Sequence, residues 1–198
     1  MTSTYPTVHL GEGETVEALA ARVRQAYLEF LELPPGKPAL ARWLTSSYRS
    51  CSYRPPRPGA GHAEHAPAPA SEHPAPDELH EDRVDTVITV TRAAVLAAIE
   101  AVAMPRPSFD HFPAVTALAP VDDRFGRRGW IPIDRPHLKL RDRVLALVAA
   151  DVMMAPEDFR SGGVHVCHLC EAVYFGHSLC PRHAVQPAPS KGASLRVT

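Results

Sequence analysis

The residues best suited to chemistry lie near the C-terminus, in two short pairs. Cys167 and Cys170 form a C-x-x-C pair, and Cys180 and His183 form a C-x-x-H pair after a gap of nine residues. A spacing of two residues lets the chain reverse tightly, so that both side chains of a pair point at one ion. Two such pairs supply the four tetrahedral ligands that Zn²⁺ prefers. The spacing therefore predicts a zinc site made of three thiolates and one imidazole.

The number of ligands predicts what kind of zinc site this is. Four protein ligands leave no coordination position for water or substrate, whereas a catalytic zinc keeps one position open. We therefore expect a structural Zn²⁺ and no enzymatic activity. Three thiolates outweigh the charge of the ion, and Arg182, inside the second pair, could partly offset that excess.

Three further histidines leave the ligand set open. His177 could replace His183, and His165 could replace a cysteine, although neither has the spacing of the C-x-x-H pair. His168, inside the first pair, is a third alternative.

The residues around the two pairs favour a β-hairpin. Segments 164–167 and 171–175 are rich in β-branched and aromatic residues, and Gly176 allows the chain to reverse. With its two pairs, this segment resembles a zinc ribbon or a related zinc knuckle, a class of module whose usual role is structural. The resemblance covers residues 161–186 and indicates no family for the rest of the chain.

The elements that must hold this site are predicted to be mainly helical. Apolar residues recur at three and four positions over 14–33 and 82–103, and Pro38 suits the first turn of a shorter helix over 38–48. Segment 138–154 is apolar on most sides, which is typical of a central helix. Residues 105–136 carry many prolines and glycines between aromatic residues, and we expect an irregular loop over the core. The predicted fold is a small, mainly α domain with a C-terminal zinc-stabilised β-hairpin.

The pattern divides the chain into five segments. A segment rich in Pro, Ala and His cannot bury enough apolar surface to offset the entropy of ordering it, so this composition predicts a flexible linker. The expected segments are a helical hairpin (1–53), this linker (54–79), a helical core with a long ordered loop (80–160), the zinc module (161–186) and a disordered tail (187–198).

Composition sets broad limits on location and partners. The formal net charge is −1, which gives no general attraction to nucleic acid or to an anionic membrane. Neither a long uninterrupted apolar run nor a secretory signal is evident, so we expect a cytoplasmic protein without a membrane partner. Three of the four cysteines stand at metal-ligand spacing, which favours reduced thiols. The bias toward Ala, Arg and Pro is typical of GC-rich bacterial genomes.

These observations favour a non-enzymatic adaptor or regulatory module that binds another protein. The alternative is a transcription-associated protein that binds nucleic acid through the basic stretch Arg124–Arg143, with Arg127 and Arg128 as candidate contacts. Acidic residues are interspersed in that stretch, which favours an ordinary solvated surface. A zinc deaminase pattern is not supported, because Val166 stands where that pattern has proline. No motif identifies a small-molecule substrate.

Overall fold

A buried helix lies at the centre of the fold. The computed structural model describes residues 7–55, 83–112, 118–135, 137–160, 163–176 and 179–183. Helix α4 (Leu140–Met154) is buried at most of its positions, and the first and third helices and a β-strand pack against it. The prediction of a central helix is confirmed. About half of the described residues are helical, so the fold is mainly α.

Helix α1 (Val16–Leu31) lies within the predicted segment 14–33 and is two residues shorter at each end. The hydroxyl of Thr15 accepts a hydrogen bond from the backbone N–H of Ala18 at 3.2 Å, which satisfies one of the free donors of the first turn. The buried face includes Leu19, Val23 and Phe30. The helix ends before Pro34 and Pro35, which cannot continue it.

The second helical segment changes geometry along its length. Helix α2 (Lys37–Trp43) continues directly into a π-helical turn (Leu44–Tyr48). The hydroxyls of Thr45 and Ser46 donate to the carbonyls of Ala41 and Arg42 at 2.9 and 2.7 Å, and such bonds compete with the helical backbone pattern. The indole of Trp43 donates to the carbonyl of Ala26 at 2.8 Å, which fixes this segment to α1.

Helix α3 (Val84–Ala103) is helical throughout, including residues whose β-branched side chains also suit a strand. The short helix α5 (Pro156–Phe159) follows α4 in the chain. Helix α3 is long and apolar enough to cross a membrane by length and composition, with a mean hydropathy of 1.7. A core helix meets the same criteria, and α3 packs against α4.

The expectation of an irregular loop over 105–136 is wrong for part of that region. Strands β2 (Leu118–Asp122) and β3 (Arg128–Pro132) pair in antiparallel fashion, and β1 (Val8–His9) lies parallel to β2. Proline is unusual within a strand because it has no N–H to donate. Pro120 lies where β2 pairs with β3 but not with β1, so its nitrogen needs no hydrogen bond to β1. Four of the five β2 residues are buried, so the strand lacks the alternation by which it could be recognised.

The N-terminal helices pack onto the main body, chiefly through α1 and α4, and share its hydrophobic core. Tyr53 extends the sheet, because its backbone N–H donates to the carbonyl of Pro132 at 2.7 Å. Most of the predicted linker (54–79) and all of the predicted tail (187–198) lie outside the described residues. The five segment boundaries therefore stay predictions.

Candidate metal centre

The first cysteine pair lies in the turn of a two-stranded hairpin. Strands β4 (Val164–Val166) and β5 (Val173–Phe175) are antiparallel and pair Val166 with Val173. Beyond that pair, the N–H of Cys167 donates to the carbonyl of Ala172 at 2.9 Å, and the N–H of Glu171 donates back to the carbonyl of Cys167 at 2.7 Å. Glu171 has a positive φ of 56°, which is uncommon for a residue other than glycine and closes the turn. Both strands occur where their composition predicts them.

The second pair is also held by a tight turn, and it meets the first. The N–H of His183 donates to the carbonyl of Cys180 at 2.9 Å. The three sulfurs and a histidine nitrogen all lie within 4.8 Å of one another, and we call Cys167, Cys170, Cys180 and His183 the metal cluster. Two distances within it are 3.8 Å between the sulfurs of Cys170 and Cys180, and 3.4 Å between Cys167 Sγ and His183 Nδ1.

These distances can be compared with the shape of a tetrahedral zinc site. Bonds of about 2.3 Å to sulfur and about 2.0 Å to nitrogen give edges of about 3.8 Å between two sulfurs and about 3.5 Å between sulfur and nitrogen. The Cys170–Cys180 and Cys167–His183 distances match these two edges. The donor set and these two edges therefore fit one Zn²⁺ ion, with Nδ1 of His183 facing the sulfur of Cys167.

The alternative histidines lie elsewhere or outside the described residues. Among the described residues, neither His165 nor His168 belongs to the metal cluster. The His165 ring stacks instead on Tyr174 across the hairpin, with 5.1 Å between ring centroids. His177 lies outside the described residues, so the prediction that names it is untested.

Local hydrogen bonds favour the thiolate form of one cysteine in the cluster. Hydrogen bonds from the backbone N–H of Leu169, and then from that of Cys170, lower the pKa of Cys167 to about 6. The pKa of Cys170 is raised, because burial and the neighbouring Cys167 and Cys180 outweigh the hydrogen bond from the Ala172 N–H. The thiolate form is thus favoured at Cys167, where a bound cation would be stabilised.

One arginine connects this hairpin to the body of the protein. The Nε of Arg24, on α1, lies 2.8 Å from Asp151 Oδ2, and its terminal nitrogen lies 2.7 Å from Asp158. The same guanidinium stacks over the ring of Phe175 on β5, 4.2 Å from its centroid. Tyr27 donates a further hydrogen bond to Asp151 at 2.8 Å. Sequence reasoning missed these contacts, because they join residues more than a hundred positions apart.

The predicted basic stretch Arg124–Arg143 is largely engaged within the protein. Arg127 pairs with Glu17, and Arg128 pairs with Asp122 at 3.2 Å. Arg143 and Asp134 form an ion pair at 3.0 Å in which each side chain is only 4% exposed. Arg182, expected to offset the charge of the metal site, pairs with Glu32, which follows the last residue of α1. The use of Arg127 and Arg128 as nucleic-acid contacts stays a prediction.

Comparison of the chain with protein-family models, with curated proteins and with solved structures gives no match. The metal cluster and its surroundings are therefore the observations from which a function is inferred.

Proposed function

We propose that this protein is a non-enzymatic adaptor or regulatory module that binds another protein and is stabilised by a structural Zn²⁺ on the metal cluster. The observation that carries the proposal is the convergence of Cys167, Cys170, Cys180 and His183 within 4.8 Å of one another. Three soft thiolate donors with one imidazole select Zn²⁺ over the hard cations Mg²⁺ and Ca²⁺. The resemblance of residues 161–186 to a zinc ribbon or knuckle supports the same identification.

The role of the ion in this proposal is to cross-link the two turns that carry the ligands. Strands β4 and β5 each contain three residues, which is short for an independent hairpin. Four protein ligands fill the tetrahedral positions of Zn²⁺, so the ion contributes folding free energy rather than chemistry.

The surface of the hairpin supports a role in binding a protein. Leu169, inside the first pair, is 82% exposed, and Leu179, which precedes Cys180, is 68% exposed. Because the adjacent Cys170 and Cys180 are in contact, the cross-link would hold both leucines on one rigid structure. Pre-ordered apolar side chains lose little entropy when a partner covers them.

Zinc content tests this proposal most simply. After purification under reducing conditions, we expect one zinc per chain, and Cys170→Ser should release most of it because metal binding and local folding are linked. Cys51→Ser is the matched control, since Cys51 is buried in the core and lies outside the metal cluster. Zinc-free wild-type protein, or a Cys170→Ser variant with full zinc, would contradict the proposal.

Salt dependence separates the nucleic-acid alternative from the adaptor. Phosphate contacts release counterions, so affinity for nucleic acid would fall steeply with ionic strength and weaken on charge reversal of Arg127 and Arg128. A partner bound through apolar anchors such as Leu169 would be nearly insensitive to salt.

A further inference from the structure

The three cysteines of the metal cluster differ in exposure. Cys167 and Cys180 are buried, with 8% and 7% of their surface exposed, whereas Cys170 is only partly buried. Cys170 also borders a cleft of about 570 Å³ between the hairpin and helices α1 and α3, which gives small molecules a route to its sulfur. Zn²⁺ binds cysteine as the thiolate, so in the loaded cluster exposure distinguishes the three sulfurs. An oxidant would therefore reach Cys170 first.

The contacts within the cluster connect its two turns at two points. The sulfur of Cys170 lies 3.8 Å from that of Cys180, and Cys167 Sγ lies 3.4 Å from His183 Nδ1. Each contact joins a residue of the first turn to a residue of the second. A disulfide bond is about 2.0 Å long, so a small approach of the turns brings the sulfurs of Cys170 and Cys180 to bonding distance.

The hairpin also has contacts to the body that involve no metal ligand. Val164 is buried in the main hydrophobic cluster. The ring of Phe175 meets Phe159 edge-on at 5.7 Å and lies under the guanidinium of Arg24, 4.2 Å away. These contacts would hold the hairpin on the body after loss of the ion, so the first turn would keep its place beside the second.

We propose that the metal cluster is a redox switch, in which a peroxide joins Cys170 and Cys180 in a disulfide and Zn²⁺ is released. The inference rests on the proposed function and concerns the regulation of the same site. Of the cluster, Cys167 and His183 would remain, and two ligands are too few for the four-coordinate site that zinc prefers. The disulfide joins the same two turns as the ion, so oxidation exchanges one cross-link for another.

The oxidation proceeds in two steps whose atoms and electrons balance. The thiolate of Cys170 attacks one oxygen of hydrogen peroxide, so that an S–O bond forms, the O–O bond breaks and hydroxide leaves. The thiolate of Cys180 then attacks the sulfur of this sulfenic acid, so that the S–S bond forms, the S–O bond breaks and a second hydroxide leaves. The two sulfurs together give two electrons to the peroxide, and zinc stays divalent.

The test adds hydrogen peroxide stepwise to the reduced, zinc-loaded full chain and follows released zinc with a chromogenic chelator. We expect the whole zinc content to be released, and to be bound again after reduction with a phosphine and addition of Zn²⁺. Free thiols of the oxidised protein are alkylated, and the chain is cleaved after Phe175, which separates Cys170 from Cys180. Mass spectrometry should find these two peptides joined through Cys170 and Cys180, with Cys167 alkylated.

Cys51→Ser is the matched control. Cys51 is buried in the core and lies outside the metal cluster, so this variant should release zinc and form the disulfide as the wild type does. The redox proposal is overturned if zinc stays bound in excess peroxide, or if Cys51→Ser prevents its release. It is also overturned if the disulfide includes Cys167, or if the thiols are oxidised to sulfinic acid without a disulfide.

Zinc is quantified before peroxide is added, which keeps the two proposals apart. Absence of zinc from the reduced wild-type protein counts against the proposed metal site. Zinc that is present and resists peroxide counts against the redox switch alone.

Discussion

At the scale of single residues, Arg24 joins the body to the hairpin through contacts that its replacement would break. It neutralises Asp151, whose side chain is fully buried, and it stacks on Phe175 of the hairpin. We expect Arg24→Met to lower the free energy of unfolding by about 3 kcal/mol, because it leaves a buried carboxylate without its counter-charge. Chemical denaturation measures the effect, and Arg141→Met, at an exposed position of α4, serves as the control. Equal stability of the two variants would contradict this role for Arg24.

Asp123 gives a prediction about pH. Its carboxylate accepts hydrogen bonds from the backbone N–H groups of Phe125 at 2.8 Å, Arg127 at 2.9 Å and Val16 at 3.4 Å. These bonds lower the pKa of Asp123, although burial opposes them. A carboxyl group whose pKa is lowered on folding stabilises the folded state at pH values above its ordinary pKa. This contribution is lost as the pH falls through the pKa of the folded state.

We therefore expect Asp123→Asn to be less stable than the wild type near neutral pH, with a difference that shrinks below about pH 4. Thermal unfolding across this pH range measures it. A difference that is independent of pH would show that the charge of Asp123 does not contribute.

Local contacts could be predicted from the sequence, and contacts between distant segments could not. The metal cluster could be predicted because each pair is local, and tight turns bring both of its ligands together. The contacts of Arg24 could not, because they depend on how α1, α4 and β5 pack. Asp123 sits among cations in the sequence and was interpreted as part of a solvated surface, yet it connects the β2–β3 turn to the start of α1.

At the scale of elements, close packing of β3 on two helices depends on Gly129. A Cβ added there would lie 3.0 Å from Val16 Cγ1, 3.1 Å from Met154 Sδ and 3.3 Å from Val121 Cγ2. We expect Gly129→Ala to destabilise the protein by about 1 to 3 kcal/mol through overpacking. Gly11→Ala is the control, because nothing lies within 4 Å of an added Cβ at that position. Denaturant midpoints that are unchanged in both variants would contradict the tight packing.

The helices were predictable and the central strands were not, for a physical reason. A helix carries its own periodicity, so segment 14–33 indicates α1 directly, and segment 138–154 indicates the buried helix α4 by being apolar on most sides. Strands β2 and β3 contain Pro120 and Pro132, and most of their residues are buried, so neither alternation nor composition indicates them. Their existence depends on pairing with each other and with β1.

At the scale of the whole molecule, the hairpin is both a local structure and part of the common core. Val164 of β4 is buried in the main hydrophobic cluster, and Phe175 of β5 meets the ring of Phe159 edge-on at 5.7 Å. Arg24 and the Arg182–Glu32 pair add polar contacts between hairpin and body. Zinc on the cluster would therefore stabilise two turns that belong to a hairpin already packed on the body.

X-ray absorption at the zinc edge tests the central claim most directly. For the reduced, zinc-loaded protein, we predict one scattering shell of three sulfurs at about 2.3 Å and one nitrogen at about 2.0 Å, with no oxygen ligand. Cys170→Ser should abolish this spectrum, and Cys51→Ser should leave it unchanged. A spectrum dominated by oxygen or by several nitrogens, or protein that holds no zinc, would contradict the proposed structural zinc site.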